Sequence, residues 1–175
     1  MTLYRDLAAA LDRQADWLLP TMARLVFVAV LFGYFWASAL TKFDGPFSPS
    51  MGSYAQIFPK AFEAVGYDPS GLSLWHSLVV LAGGYAEFVL PVLIVLGLLT
   101  RLAALGMMGF VLVQSLTDII GHGAAAGAWF DRASDALILD QRALWYLLLA
   151  VLLCKGAGPL SADRYLGVEP ARLAA

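Results

Sequence analysis

Long stretches without a charged residue constrain this chain more than any other feature. A helix needs about 20 mostly apolar residues to cross the ~30 Å hydrocarbon core of a bilayer. Four stretches approach that length, and they cover residues 20–41, 74–100, 102–120 and 142–159. The fourth is the weakest, because its strictly apolar part, residues 143–154, is also typical of a buried or interfacial segment. It reaches crossing length if Lys155 extends its ammonium group to the interface.

The composition agrees with a membrane protein and excludes several other classes. Hydrophobic residues make up 61% of the 175 residues and charged residues 14%, against roughly 45–50% and about 25% in soluble domains. Lipid therefore replaces the missing charged surface. Eleven Lys and Arg against thirteen Asp and Glu provide no basic face, so no nucleic acid partner is expected. A single cysteine, Cys154, excludes an internal disulfide or a CxxC pair.

These runs predict an all-α fold, an integral membrane four-helix bundle with an N-terminal amphipathic interfacial helix. The bundle is expected to occupy residues 20–160, with a cytoplasmic amphipathic segment at 1–19 and a cytoplasmic tail at 161–175. The amphipathic prediction comes from leucines that recur at helical spacing between charged residues: Leu3, Leu7, Leu11 and Leu18.

The orientation follows from the distribution of Lys and Arg between the two ends of the predicted bundle. Seven of these residues belong to the end that carries both termini, and four belong to the two longer connections. The positive-inside rule then predicts that both termini are cytoplasmic in a multi-pass protein of the inner (plasma) membrane.

Glu87 is the charged residue that lies deepest within a predicted crossing. An uncompensated charge there costs several kcal/mol, so we expect the side chain to be protonated, paired or turned into the bundle. Gln114 lies about as far beyond a predicted turn at Arg101 as Glu87 lies before it, which makes Gln114 a candidate hydrogen-bond partner. The alternative to a functional role is a buried hydrogen bond that fixes helix packing.

A second group of polar residues is expected at the outer ends of the helices. His76 begins the second crossing, Asp118 and His122 end the third at i,i+4 spacing, and Lys42 follows the first. Together they could surround a pocket for a quinone head group or hold a metal. Ordinary boundary residues are the alternative interpretation, and we expect neither a metal nor a haem.

The segment from Ala86 to Leu105, with Glu87, Pro91 and the sequence Gly-Leu-Leu-Thr-Arg, resembles the signature of DoxX-like (DoxX/DoxD) membrane proteins. Ala39-Leu40-Thr41-Lys42-Phe43 and the tail from Gly156 to Leu166 are also similar to that family, although the tail has Gly-Ala-Gly-Pro where the family often has Gly-Pro-Gly. The resemblance implies a four-helix membrane bundle. It also implies a set of family-type polar positions: Lys42, Glu87, Arg101, Ser161, Asp163 and Arg164. The last four are expected to tie the tail to the second turn by ion pairing.

The resemblance implies a subunit of quinone-linked sulfur oxidation or a partner in thiol and oxidative-stress complexes. Our leading hypothesis is a small inner-membrane subunit of such a redox system, which binds a quinone-sized ligand near Glu87 and acts with another membrane or membrane-associated redox protein or as a homo-oligomer. A non-catalytic accessory or assembly subunit is the first alternative. A small proton-coupled carrier that uses Glu87 is the second.

Overall fold

A computed structural model describes residues 2–132 and 137–168, so residues 169–175 of the predicted tail lie outside the described part. The predicted helical fold is confirmed, with the addition of one short antiparallel ribbon. The helices and strands are α1 (Thr2–Val26), a π-helical segment (Phe27–Phe32), α2 (Gly33–Leu40), β1 (Phe43–Gly45), β2 (Ser48–Pro49), α3 (Met51–Ile57), α4 (Pro59–Ala64), a 3₁₀ turn (Pro69–Gly71), α5 (Leu74–Leu96), α6 (Thr100–Leu116), a second π-helical segment (Thr117–Gly121), α7 (Ile138–Lys155) and α8 (Ala162–Tyr165).

The first helix is continuous from Thr2 to Leu40, through α1, the π-helical segment and α2. The sequence predicted a separate segment at 1–19 and a crossing that begins at residue 20. Pro20 instead lies buried inside α1 without ending it. An internal proline removes one backbone hydrogen bond, and α1 nevertheless continues to Val26.

The turn between α5 and α6 lies at residues 97–99, earlier than the turn predicted at Arg101. Gly97 and Leu99 both have positive φ angles, 66° and 48°, which reverse the chain within three residues. Gly97 is also required sterically, because a Cβ atom there would lie 2.6 Å from the Cβ of Ser161. Arg101 is therefore already in the first turn of α6.

Three helices in the described part of the chain are long and apolar enough to cross a membrane: Thr2–Leu40, Leu74–Leu96 and Thr100–Gly121. The fourth predicted crossing corresponds to α7, which packs against α6 and α1. Its 18 residues include three charged side chains, Asp140, Arg142 and Lys155, so its composition is less apolar than that of the other three.

Large side chains fill the centre of the bundle where the first helix, α5, α6 and α7 meet. Phe27, Phe35, Met107 and Leu149 are completely buried there. The interior of this half of the molecule is therefore packed with aromatic and aliphatic groups, as expected for a native core.

Arg24 joins three chain segments at the end of the bundle that carries the α5–α6 turn. Its Nε donates to the carbonyl of Ile94 at 3.1 Å and its Nη2 to that of Val95 at 2.6 Å. Its Nη1 donates to the carbonyls of Ala157 and Leu160. The guanidinium thus satisfies carbonyls at the end of α5 that have no partner within the helix.

Asp163 ties the tail to the same turn. Its carboxylate accepts hydrogen bonds from the backbone N–H groups of Leu99, at 2.6 Å, and Thr100, at 2.9 Å. The connection that we predicted by ion pairing is therefore made by Asp163 through backbone hydrogen bonds. Arg101 donates to the carbonyls of Leu153 and Cys154 at the end of α7.

Candidate functional site

A cavity of about 530 Å³ lies between α2, α5 and α6, and α3 packs at the end of it that lies away from the α5–α6 turn. Its volume is in the range of small-molecule sites, and most of its wall is apolar. Five of the six side chains predicted as site residues line it: Lys42, Glu87, Gln114, Asp118 and His122. The structure therefore brings most of the predicted polar residues to one cavity.

The most buried polar group in the cavity wall is an ion pair between Lys42 and Glu87. The Lys42 Nζ lies 3.5 Å from Glu87 Oε2, and each side chain is 5% exposed. The ammonium group also donates to the Ser38 hydroxyl at 3.1 Å and to the Gln56 Oε1 at 2.6 Å. Glu87 is thus paired within its helix bundle, as expected of a charge at this depth.

Local sequence explains why these groups meet. Ser38 lies in α2 and Lys42 follows two residues after that helix ends, which places the lysine ammonium group within hydrogen-bond distance of the Ser38 hydroxyl. On α5, Gly84 leaves room for the chain after α2: a Cβ atom there would lie 2.6 Å from the Phe43 ring and 3.1 Å from the Cβ of Lys42. The absence of a side chain at Gly84 therefore allows Lys42 to reach Glu87.

The predicted hydrogen bond between Gln114 and Glu87 is wrong, because the α5–α6 turn lies earlier than predicted. Leu90 faces Gly106, where a Cβ atom would lie 3.1 Å from the leucine side chain. Because α5 and α6 are antiparallel, three residues earlier on α5 correspond to three residues later on α6. Glu87 therefore faces Gly109. Gln114 is five residues further, about 7.5 Å at 1.5 Å per residue.

Gln114 is instead bonded across the bundle to the first helix. Its Nε2 donates to the hydroxyl of Tyr34 at 2.7 Å. The oxygen of the amide, Oε1, is buried and has no hydrogen-bond partner in the described residues. Glu87 Oε2 is also buried without a hydrogen-bond partner there. Both atoms belong to side chains that line the cavity.

Asp118 forms an ion pair with Arg142 of α7, a residue that the sequence did not single out as a site residue. The Arg142 side chain is 7% exposed and also donates to the Ser115 hydroxyl at 2.7 Å. Asp118 belongs to the π-helical segment Thr117–Gly121, and such segments occur frequently at functional sites. The cavity wall thus contains both members of one ion pair, Lys42 and Glu87, and one member of a second, Asp118.

The two histidines occupy different places. The Nε2 of His122 lies 2.9 Å from the carbonyl oxygen of Gln56, at the end of the cavity where α3 packs. His76, which we predicted in the same pocket, does not line it. Its Nδ1 is hydrogen-bonded to Ser73, and its ring packs edge-to-face against Phe58, between α3 and α4. Within residues 2–132 and 137–168, no group of three His, Cys, Asp or Glu side chains is arranged to hold a metal ion.

One side of the cavity is open between the helices. A Cβ atom at Gly109 would have no neighbour within 4 Å, and Val113, one helical turn further along α6, is 57% exposed. Both residues line the cavity. The cavity is therefore open to the surface of the protein beside Gly109 and Val113.

A family model for DoxX matches residues 19–118, more than half of the chain. The chain belongs to the DoxX family. Comparison with curated proteins and with solved structures gives no significant match. The family match and the three long apolar helices together show that this DoxX-family protein is a membrane protein. The matched region contains the cavity residues from Tyr34 to Asp118, whereas His122 and Arg142 lie beyond it.

Sequence reasoning missed four residues of the site: Tyr34, Ser38, Gln56 and Arg142. Helical spacing could have found two of them, because Tyr34 and Ser38 are four residues apart on one face of α2, the helix that Lys42 follows. Gln56 reaches the site because α3, in the connection between α2 and α5, packs against α5, and no local sequence pattern indicates that contact.

Proposed function

We propose that this protein is a small inner-membrane subunit of a quinone-linked redox system and that its cavity holds a quinone-sized ligand beside Glu87. The observation that carries the proposal is the combination, in one cavity of about 530 Å³, of apolar walls with a buried ion pair. The quinone-linked redox role associated with the DoxX family supports the same assignment.

The cavity residues fit an aromatic ring that carries polar oxygen atoms. Ala82, Ala86 and Phe110 provide apolar wall against which the ring would pack, while Glu87 and Gln114 provide polar groups at two levels. The open side near Gly109 would let an apolar tail extend into lipid. Bound quinone would supply two-electron redox chemistry; this chain would bind, orient and shield the ring.

Electron entry is assigned to a partner protein. The single cysteine, Cys154, cannot form the dithiol pair that thiol chemistry would require. We therefore propose that another membrane or membrane-associated redox protein delivers electrons.

An accessory role is the second candidate. It is supported by apolar side chains on α1, where Leu3, Leu7 and Leu11 are each more than half exposed. Co-purification with a larger complex, together with unchanged quinone content when the cavity is blocked, would favour this second role.

For the membrane arrangement, we propose that α7 is the fourth crossing of a four-helix bundle. Its packing against α6 and α1 supports this arrangement. The hydrogen bonds of Arg24 also support it, because they join the end of α5 and the segment after α7 at one end of the bundle. We place this end and both termini on the cytoplasmic side, with the first half of α1 as an amphipathic helix at the inner surface. The exposed ion pair between Asp16 and Lys155 lies at this level.

The proposal is tested by filling the cavity without disturbing the fold. Gly109→Leu adds a side chain into open space, and Gly33→Leu is the matched control, because Gly33 is an exposed helical glycine with equally open surroundings outside the cavity. Protein purified from native membranes is extracted, and its quinone content is measured. We expect wild type and Gly33→Leu to retain quinone and Gly109→Leu to lose it. Retention of equal amounts by both variants, or none by wild type, contradicts the proposal.

A further inference from the structure

We propose that the cavity is also an aqueous passage, which carries protons between the level of Glu87 and the end of the bundle where α3 packs. This proton role rests on the proposed function, because reduction of a quinone to a quinol takes up a pair of protons together with a pair of electrons. The partner redox protein would supply the electrons. The passage would supply the protons, and it would take them from one side of the membrane only.

The cavity is long in the direction of the helix axes. Gly109 lies at the level of Glu87, and Asp118, nine residues further along the chain, lines the same cavity. Nine helical residues correspond to roughly 13 Å at about 1.5 Å per residue. His122, four residues beyond Asp118, also lines it. The cavity therefore connects the surroundings of a buried charge on α5 with the α3 end of the bundle.

The wall of the cavity becomes more polar towards the α3 end. Beside Glu87 it is formed by Ala86, Leu90 and Phe110. Towards α3, six polar side chains line it: Lys42, Gln56, Gln114, Thr117, Asp118 and His122. A roomy cavity that offers several polar partners is suited to water. Ionisable side chains within membrane helices also typically face the bundle interior or a water-filled cavity. This half of the cavity therefore has the character of an aqueous passage.

The charged groups of the passage are held by partners from the neighbouring helices. Lys42 is paired with Glu87 of α5, and Asp118 is paired with Arg142 of α7. Besides these pairs, the lining contains the imidazole of His122, a group suited to proton exchange near neutral pH. The Asp118 side chain is 33% exposed and His122 is exposed. The α3 end of the passage can therefore exchange protons with the surrounding water.

The opposite end of the cavity is closed. Leu90 packs against Gly106, where a Cβ atom would lie 3.1 Å from the leucine side chain. Beyond this contact, Ile94 and Met107 are completely buried in the apolar core. The opening beside Gly109 would face lipid in the membrane arrangement proposed above, so ions would not enter there. Water in the cavity would therefore communicate with the α3 side and not with the side of the α5–α6 turn.

The single cysteine of the chain allows a test by thiol labelling. Cys154→Ser gives a chain without cysteine, which is reconstituted in sealed vesicles and treated with a small charged thiosulfonate that does not cross membranes. In this background, Ala86→Cys places a thiol in the cavity beside Glu87. Val89→Cys is the matched control, because Val89 is on the same helix, 50% exposed and outside the cavity. Asp44→Cys, at an exposed position in β1, reports on which side of the vesicle the α3 end lies.

We expect Ala86→Cys to react at least about tenfold faster than Val89→Cys, because a thiol in apolar surroundings forms little of the reactive thiolate. The reaction should occur only from the side that labels Asp44→Cys. Its rate should rise about tenfold per unit of pH on that side while the thiol is mostly protonated, and it should not respond to the pH on the other side. Adding Thr117→Trp, which places a large side chain in the polar half of the passage, should abolish the reaction.

Three results would overturn the inference: equal labelling of Ala86→Cys and Val89→Cys, labelling from the opposite side, or a rate that follows the pH of the opposite side. An unchanged rate in folded Thr117→Trp would overturn the route past that residue. None of these results affects the quinone content that tests the proposed function. Conversely, one-sided labelling of a protein that retains no quinone would overturn the proposed function and the proton role, while supporting the passage itself.

Discussion

We expect removal of Lys42 and removal of Glu87 from the buried ion pair to reduce stability by different amounts. Lys42→Met leaves Glu87 without its cation in a site where the carboxyl side chain is 5% exposed. Breaking a buried pair by removing one partner costs about 3–5 kcal/mol. Coulomb attraction at the observed 3.5 Å gives a similar figure, about 5 kcal/mol at an effective dielectric constant of about 20. We therefore expect Lys42→Met to reduce the free energy of unfolding by about 3–5 kcal/mol.

Glu87→Gln should cost less, about 1–2 kcal/mol. Lys42 would keep its hydrogen bonds to Ser38 and Gln56, whereas Glu87 has no hydrogen-bond partner for Oε2. The double variant should be more stable than Lys42→Met alone, because it contains no unpaired carboxylate.

These free energies can be measured by reversible unfolding in mixed micelles of sodium dodecyl sulfate and a mild detergent, followed by tryptophan fluorescence. Lys60→Met is the matched control, because Lys60 is an exposed lysine in the connection between α2 and α5. We expect it to change stability by less than about 0.5 kcal/mol. The reasoning is refuted if Lys42→Met costs less than Glu87→Gln, or if the double variant is no more stable than Lys42→Met alone.

Three further predictions concern other contacts of the bundle. Gly97→Ala should lower stability by at least about 1 kcal/mol in the same unfolding assay, because it places a Cβ at positive φ and 2.6 Å from Ser161; an unchanged midpoint would contradict this. Asp163→Ala removes two hydrogen bonds at the start of α6 and should cost about 1–3 kcal/mol, with increased amide hydrogen exchange at the α5–α6 turn as its local signature. Arg142→Met should destabilise the protein more than Arg142→Met combined with Asp118→Asn, since only the single variant leaves a carboxylate unpaired; equal unfolding free energies would argue against that pairing.

Much of the site could be predicted because antiparallel helices return their ends to the same level. Lys42 follows the end of the first long helix, and Asp118 and His122 lie at the end of the third, so connectivity alone places them near one another. Glu87 stood out because a charge within an apolar run needs a partner. The partner itself was misjudged: the apolar sequence before Arg101 contains no charge to mark the turn, and the reversal depends on positive φ angles at Gly97 and Leu99.

Other contacts depend on tertiary packing that no local pattern reveals. Gln56 reaches Lys42 because α3 packs against α5. Arg142 reaches Asp118 because α7 packs against α6. His76 has a suitable side chain and lies near the level expected along the helix for a site residue. Its ring nevertheless packs against Phe58 and does not line the cavity.

The two halves of the bundle differ in how completely side chains fill them, and this difference favours a ligand site over a packing defect as the explanation of the cavity. The closed half is filled by large side chains such as Phe27 and Met107. The cavity half instead has small residues on the facing helices, including Ala86, Gly106 and Gly109, where larger apolar residues would add packing stability. Unfilled volume and a buried ion pair are each unfavourable for a bundle that only has to fold. Their occurrence in the same place is understandable if a ligand fills the volume and supplies the hydrogen bonds that Glu87 lacks.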